Sequence, residues 1–498
     1  MPANSQAIRL NLDYYRKQAK VLLKTARSGD RQAVERVTLW LPETELPLEL
    51  ALHHAQFTIA REQGFSSWRK FKEFIVRSAV DFAAAFVEAA LSDLTQAERM
   101  LGAHPEMGDA DFYTALVLGN LPEVEKRLKE DPAVVNTPGG PRKWTPLLYV
   151  CFSRFANGNS NRAGDMVKTA QLLLGRGADP NAAFISRQWP DNPLPCLYGA
   201  TGVNNNPALA IELLRAGAGP NDSESLYHST EHADLACLKL LLENGASPAG
   251  TNALKHMLDR EDIRGLGMLL EAGADPNEVN GRGETALHWA VSRGRGAVIV
   301  NELIDRGVEL NALRSDGRTA YAMAAQSGQS DIAALLKARG ADTELSDVDS
   351  FLAASPVQGT SEAPEIGRSP ENERLMPDLA SNHRTAAVRA LLAAGMPVDA
   401  RGELGATALH WSCWKGYADL VQLLLEHGAS LTIRDEQFQA VPAGWFAHGL
   451  QNCDEDRGDY PQVARLLFAA GATLANCDIP TGNTEVDEVL REYGVIAT

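Results

Sequence analysis

The side chains best suited to chemistry in this 498-residue chain fall into two groups. His228, Glu231 and His232 lie three and four residues apart, and His256 and Asp259 three apart, spacings that put each set on one helix face. Imidazoles beside carboxylates can move protons near neutral pH. They have the atoms to bind a metal, yet no motif fixes a ligand geometry around them, and no metal site is expected. The second group is Trp289, Arg293, Trp411, Trp414 and Trp445. Its indoles and guanidinium suit an aromatic or cationic group, held by stacking and cation–π attraction. Nucleophile-elbow, phosphate-loop and zinc-hydrolase signatures are absent from the sequence. The run Glu243-Asn244-Gly245-Ala246-Ser247 reads as a helix end rather than a phosphate cradle. No catalytic residue and no cofactor is assigned.

The elements that must position these residues recur with a period. A Leu-rich helix, a glycine and a turn read LLLGRGADPN at 172–181, ELLRAGAGPN at 212–221 and MLLEAGADPN at 268–277. Other copies are more degraded, and the glycines of the whole set are 177, 217, 245, 273, 307, 340, 395, 428 and 471. Glycine tolerates the left-handed conformation that ends a helix, and Asp-Pro-Asn suits the tight turn after it. A second signature opens the other helix of each unit: TPLLYV at 145–150, TALHWA at 285–290, TAYAMA at 319–324 and TALHWS at 407–412. Thr is the expected cap there, and Gly294, Gly328 and Gly416 the break before the next helix. Neither short helix can bury its apolar side alone, so neighbouring units must stack.

These two signatures, in phase over roughly 110–480, resemble the ankyrin-repeat family, and bacterial ankyrin-repeat proteins in particular. The family's Thr-Pro-Leu-His tetrad keeps its proline at Pro146 and has Ala at 286, 320 and 408. The resemblance implies an all-α ankyrin-repeat solenoid with a helical N-terminal cap. It makes His288 and His410 structural, tying adjacent units by hydrogen bonds. It also implies that the position after the tetrad looks toward the concave surface. Carried over unit by unit, that geometry selects Tyr149, Tyr198, His228, His256, Trp289, Met323, Trp411 and Trp445. One turn further on come Phe152, Glu231, Asp259, Ser292 and Trp414, with Arg293 and Lys415 beside them.

Outside the regular units, residues 1–80 read as a helical N-terminal cap, with helices over 14–28 and 48–63, Ser66 or Ser67 as a helix cap, and Phe71 and Phe74 as anchors. Residues 81–345 form a repeat lobe, 346–376 a degenerate repeat with a mobile loop, and 377–498 a C-terminal lobe ending in a helix at 484–493. The 152–165 segment widens the gap between paired helices, and Pro, Gly, Ser and Glu dominate 353–374.

Composition narrows the partners. With 64 acidic and 47 basic residues the net charge is −17, a field that repels phosphate backbones and anionic membranes and favours a basic or neutral partner. Neither nucleic acid nor membrane is expected. The six cysteines show no Cys-x-x-Cys spacing, no run of eighteen apolar residues exists, and the N-terminus lacks an apolar signal core; a cytoplasmic protein is expected. Shielded ends predict a monomer. The functional expectation is a protein-binding scaffold with an aromatic-rich concave face. The alternative is a small-molecule binder or a non-hydrolytic acid–base enzyme, of cyclase or isomerase type, with a pocket in the groove.

Overall fold

All nine glycines at the ends of the Leu-rich helices have positive φ, between 79° and 98°. The left-handed turn lets the next N–H reach back five residues: Ala178 to the Leu173 carbonyl, Ala274 to Leu269 and Ala429 to Leu424, each at 3.0 Å. The same step buries the residue after the glycine, Ala178, Ala246, Ala274 or Ala429. Those four turns thus each close a helix and add a small side chain to the core.

The computed structural model describes residues 9–40, 50–108, 110–186, 190–222, 224–354, 370–453, 458–472, 481 and 483–493. Most of the loop expected at 353–374, and the loop near 455, lie outside them. The chain divides into two compact units, Met1–Ala253 and Leu254–Thr498. That division falls within the lobe expected over 81–345.

In the first unit, α1 (Leu12–Arg27), α2 (Arg31–Thr38), α3 (Leu52–Glu62) and the start of α4 (Trp68–Ser92) close on their own core of Tyr15, Ile59, Phe71 and Ile75. Ser67 caps α4, accepting the Lys70 N–H at 3.2 Å. Phe71 is buried, but Phe74 is 41% exposed, correcting its expected role as an anchor. The core stripe of α4 runs through Phe71 and Ile75, and Phe74 stands one position off it. After α5 (Leu94–Ala103) come the helix pairs α6 (Phe112–Leu118) with α7 (Leu121–Glu130), and α8 (Pro146–Phe152) with α9 (Ala163–Gly175). The short α10 (Cys196–Tyr198), continued by a π-turn over Gly199–Val203, pairs with α11 (Pro207–Arg215), and α12 (Ser225–Ser229) with α13 (Ala236–Glu243). First helices pack on first helices and second on second, as α6 on α8 and α7 on α9. An antiparallel hairpin, β1 (Ala183–Ile185) and β2 (Pro193–Pro195), elaborates one turn of an otherwise helical fold. The long 152–165 segment is fastened inward: Ser153 Oγ donates to the Val117 carbonyl at 2.6 Å and Asn206 Nδ2 to Ala156 at 2.7 Å.

The second unit takes in α14 (Ala253–Leu258, its first residue belonging to the first unit), α15 (Ile263–Glu271), α16 (Ala286–Ser292), α17 (Ala297–Asp305), α18 (Ala320–Gln326), α19 (Ser330–Ala338) and α20 (Asp347–Ala354). After α21 (Pro370–Glu373) come α22 (Leu375–Ser381), α23 (Thr385–Ala393), α24 (Ala408–Lys415), α25 (Ala418–Glu426), α26 (Pro442–Asn452), α27 (Tyr460–Ala469) and α28 (Thr484–Glu492). Here α16 packs on α18 and α18 on α20; α22, α24 and α26 pack in sequence, as do α23, α25 and α27.

Asparagines in several turns fasten one repeat to the next. Asn277 Nδ2 donates to the Gly307 carbonyl at 3.0 Å, and its Oδ1 accepts the Glu309 N–H at 2.7 Å. Asn136 and Asn181 do the same for Gly177 with Asp179 and for Gly217 with Gly219. A buried ion network spans the expected degenerate repeat. Arg314 binds Asp316 through Nε at 2.9 Å and Asp378 at 3.0 Å. Arg318 binds Asp349 at 2.8 Å, and Arg374 binds Glu284 at 2.9 Å. Among the described residues no helix is long and apolar enough to cross a membrane.

Candidate binding site

The first-helix side of the second unit is built from its caps outward. The N–H of Thr285 can only donate, so Nδ1 of His288, 3.3 Å away, is the acceptor; it also meets Thr285 Oγ1 at 2.9 Å. Nε2 therefore carries the proton and donates to the Arg318 carbonyl in the following repeat at 3.3 Å. His410 repeats this with Thr407 and the Ala440 carbonyl, at 3.1 and 3.2 Å. Burial pushes both imidazoles below the ordinary histidine range, which keeps them neutral.

With the histidine facing in, the next residue faces out, and Trp289 is half-buried. Its Nε1 donates to Asp259 Oδ1 at 2.9 Å, and Arg293 Nε donates to the same oxygen at 2.7 Å. The Arg293 guanidinium lies 4.3 Å from the centroid of the Trp289 ring. The three side chains form one preassembled surface of a flat ring, a stacked cation and a shared anion.

On α24, Trp411 and Trp414 are half-buried and lean on Trp445 of α26, at 4.9 and 5.8 Å between ring centroids. Trp445 is 4% exposed, and its Nε1 donates to Asp435 Oδ2 at 3.1 Å. Burial raises the Asp435 carboxyl, but the Phe438 N–H, the Trp445 indole and the Ala440 N–H outweigh it and hold the group below the usual range. His448 stands three residues after Trp445, as Trp414 does after Trp411, and its exposed ring lies 4.8 Å from Trp414. Phe438, 58% exposed, reaches the edge of Trp445 at 6.3 Å.

The first unit treats its aromatics differently. Tyr149 is fully buried; its hydroxyl donates to the Gly139 carbonyl at 2.8 Å and accepts the Arg142 N–H at 3.0 Å. Phe152 is buried among Trp144, Phe184 and Tyr198. Tyr149, Phe152 and Trp445 therefore sit in packed interior rather than on an open face, a correction to their expected placement. The reason lies in what covers them: Trp144 and the hairpin residue Phe184 stack at 4.1 Å and cover α8, while Asp435 draws Trp445 inward. Tyr198 is half-buried, with the His228 ring 4.8 Å away. His228 is held between Glu231 at 2.8 Å and Glu224 at 3.3 Å. Burial lowers its pKa, but the Glu231 hydrogen bond and the two carboxylate charges outweigh that and raise it.

The expected His–carboxylate patch is divided: His228, Glu231 and His232 belong to the first unit, His256 and Asp259 to the second. His232 Nε2 is used on the Gly202 carbonyl at 2.7 Å, and Asp259 on Trp289 and Arg293. Among the described residues no three His, Cys, Asp or Glu side chains are grouped to hold a metal ion. Cys151, Cys196, Cys237 and Cys413 are buried free thiols, and burial pushes Cys237 up to about 12. Asp435, His448 and Phe438 were not singled out in the sequence. The 445/448 spacing, a copy of 411/414, is the signal that points to His448.

A family model described as ankyrin repeats matches residues 258–347 and 371–435. The palmitoyltransferase AKR1 of Lachancea kluyveri is 44% identical over 57 residues, 11% of this chain and 8% of that protein, so the chain spans less than a tenth of that relative's length. The relative is from a yeast, so the expected bacterial kinship has no support from it. Among solved structures, the ankyrin repeat domain of Bcl-3, a member of the IkappaB protein family, is 24% identical over 46% of this chain and 94% of that one, with a TM-score of 0.23.

Proposed function

We propose that this chain, which carries ankyrin repeats, is a protein-binding scaffold whose contacts include the half-buried indoles of the first-helix side of the second unit. Ankyrin repeats generally mediate contacts between proteins. The observation that carries the reading is the fixed posture of these rings: Trp289 is held by Asp259 and Arg293, and Trp411 and Trp414 by Trp445. A ring already held in place loses little conformational freedom when a partner covers it. Indoles are also the side chains that most often dominate interface energetics. His288 and His410 contribute by holding the backbone that presents the rings.

The test is quantitative affinity capture from a native extract, comparing wild type with W289A/W411A, after circular dichroism and melting show that both are folded. Specific partners of the wild type are expected to drop out with the variant. Recovery of the same partners in the same amounts would sink the assignment of this face.

A further inference from the structure

The negative charge is unevenly divided. Leu254–Thr498 holds 36 acidic and 21 basic residues, net −15, whereas Met1–Ala253 holds 28 and 26, net −2. In the second unit, the turns after α15, α17 and α19 each place an exposed carboxylate two residues past the helix-ending glycine: Asp275, Glu309 and Asp342. Six residues past the first two glycines stand Val279 and Leu313, which are 57% and 62% exposed. Val279 and Leu313 thus lie on the same turns as Asp275 and Glu309, and aliphatic side chains this exposed are not placed there by core packing.

The turns that carry them are stiff. Gly283 N–H closes on the Asn280 carbonyl at 2.9 Å, and Gly317 N–H on Arg314 at 2.8 Å. The Ser315 N–H joins the two turns through the Arg282 carbonyl at 2.9 Å, while Asn277 joins their bases. Val279 and Leu313 are thus repeated prongs on adjoining, mutually bonded turns.

We propose that this turn edge docks a basic, partly apolar segment of another protein chain, its apolar side chains seated on Val279 and Leu313 and its lysines or arginines over the Asp275–Glu309–Asp342 row. The charge sign selects the occupant. Nucleic acid and anionic lipid are repelled by the same row, and a neutral apolar segment would gain nothing from it. The proposal uses different residues from the indole surface and stands or falls independently of it.

The probe is a fluorescein-labelled synthetic peptide of alternating lysine and leucine, followed by anisotropy with the full-length chain. Glutamate/leucine and lysine/serine peptides of equal length serve as comparisons. The lysine/leucine peptide is expected to bind about tenfold more weakly as salt rises from low to physiological strength. V279S/L313S, at exposed positions that leave the fold intact, is expected to weaken it about fivefold. E309Q/D342N is expected to weaken it and flatten the salt dependence. D331N/E426Q, which removes equal charge from other helices, and W289A/W411A are both expected to stay within about twofold of wild type. The proposal is overturned if the lysine/leucine peptide does not bind or if V279S/L313S binds it as wild type does. Equal binding of either comparison peptide, or an equal loss in D331N/E426Q, overturns it as well.

Discussion

Replacing Arg314 by Met tests how the repeats on either side of residues 355–369 are held. The Arg314 guanidinium is almost fully buried and faces Asp316, Asp378 and, at 3.6 Å, Glu284. Burial alone would lower its pKa, but Asp378, Asp316 and Glu284 outweigh that and raise it. Removing one partner of a buried pair costs about 3–5 kcal/mol, because the charge left behind has lost its water and its counter-ion. Here Glu284 keeps Arg374 and Asp316 keeps Arg318, while Asp378 is exposed enough to rehydrate. The loss in R314M is therefore placed at the lower end, about 3 kcal/mol. Urea unfolding followed by circular dichroism and tryptophan emission measures it, and R314M/D316N should recover part of it. Glu284 and Asp316 add a pH signature. Burial raises both, but Asn280 and Arg374 for Glu284, and Arg314 and Arg318 for Asp316, outweigh burial and hold them below the usual carboxylate range. Their contribution is complete above the unfolded values near ~4 and drains away as pH falls through the lower folded values. R314M should flatten that acid limb. A loss under about 1 kcal/mol with an unchanged acid limb would refute the account, since a water-filled cluster would behave that way.

Asn277→Ala removes two inter-repeat hydrogen bonds and should cost about 1–3 kcal/mol, with faster hydrogen exchange at the Glu309 amide. The neutral imidazoles of His288 and His410 have folded pKa values below the unfolded value near ~6.5, so their contribution is complete above that value and is lost as pH falls toward the folded ones; NMR titration should find both rings protonating below the histidine of an unfolded peptide. Gly273→Ala should lower stability by about 1–2 kcal/mol even though its Cβ would meet open space, because φ is +92°. Gly267→Ala, inside α15 and equally unobstructed, should raise it by about 0.5–1 kcal/mol, and thermal melts of the pair would separate strain from crowding.

The fold was legible because its parts are short-range. A glycine after Leu-Leu-Leu and a threonine before Ala-Leu-His report local conformations, and all nine glycines and both histidine boxes take up those geometries. Long-range pairing was not legible. Nothing within a turn's length of Arg314 announces Asp378, and nothing near Trp144 announces that Phe184 will stack on it. The candidate surface suffered accordingly. The register correctly separated the inward histidine from the residue after it, but exposure of that residue is decided by neighbours from other repeats. Tyr149 and Trp289 hold equivalent positions, yet one is sealed against Tyr113 and Trp144 and the other is half-open.

The ion network also bears on mechanical load. A pull along the chain at a seam such as the one Asn277 bridges has to break an asparagine link and a helix-pair contact, and would release one repeat, about 115 Å of extended chain. Between Glu284 and Asp378 the crossed Arg–carboxylate pairs close a loop of almost three repeats, so tension cannot lengthen any one of them until the pairs part. That segment should then give way in a single step of about 320 Å, a built-in stop partway along a chain that otherwise yields in small increments.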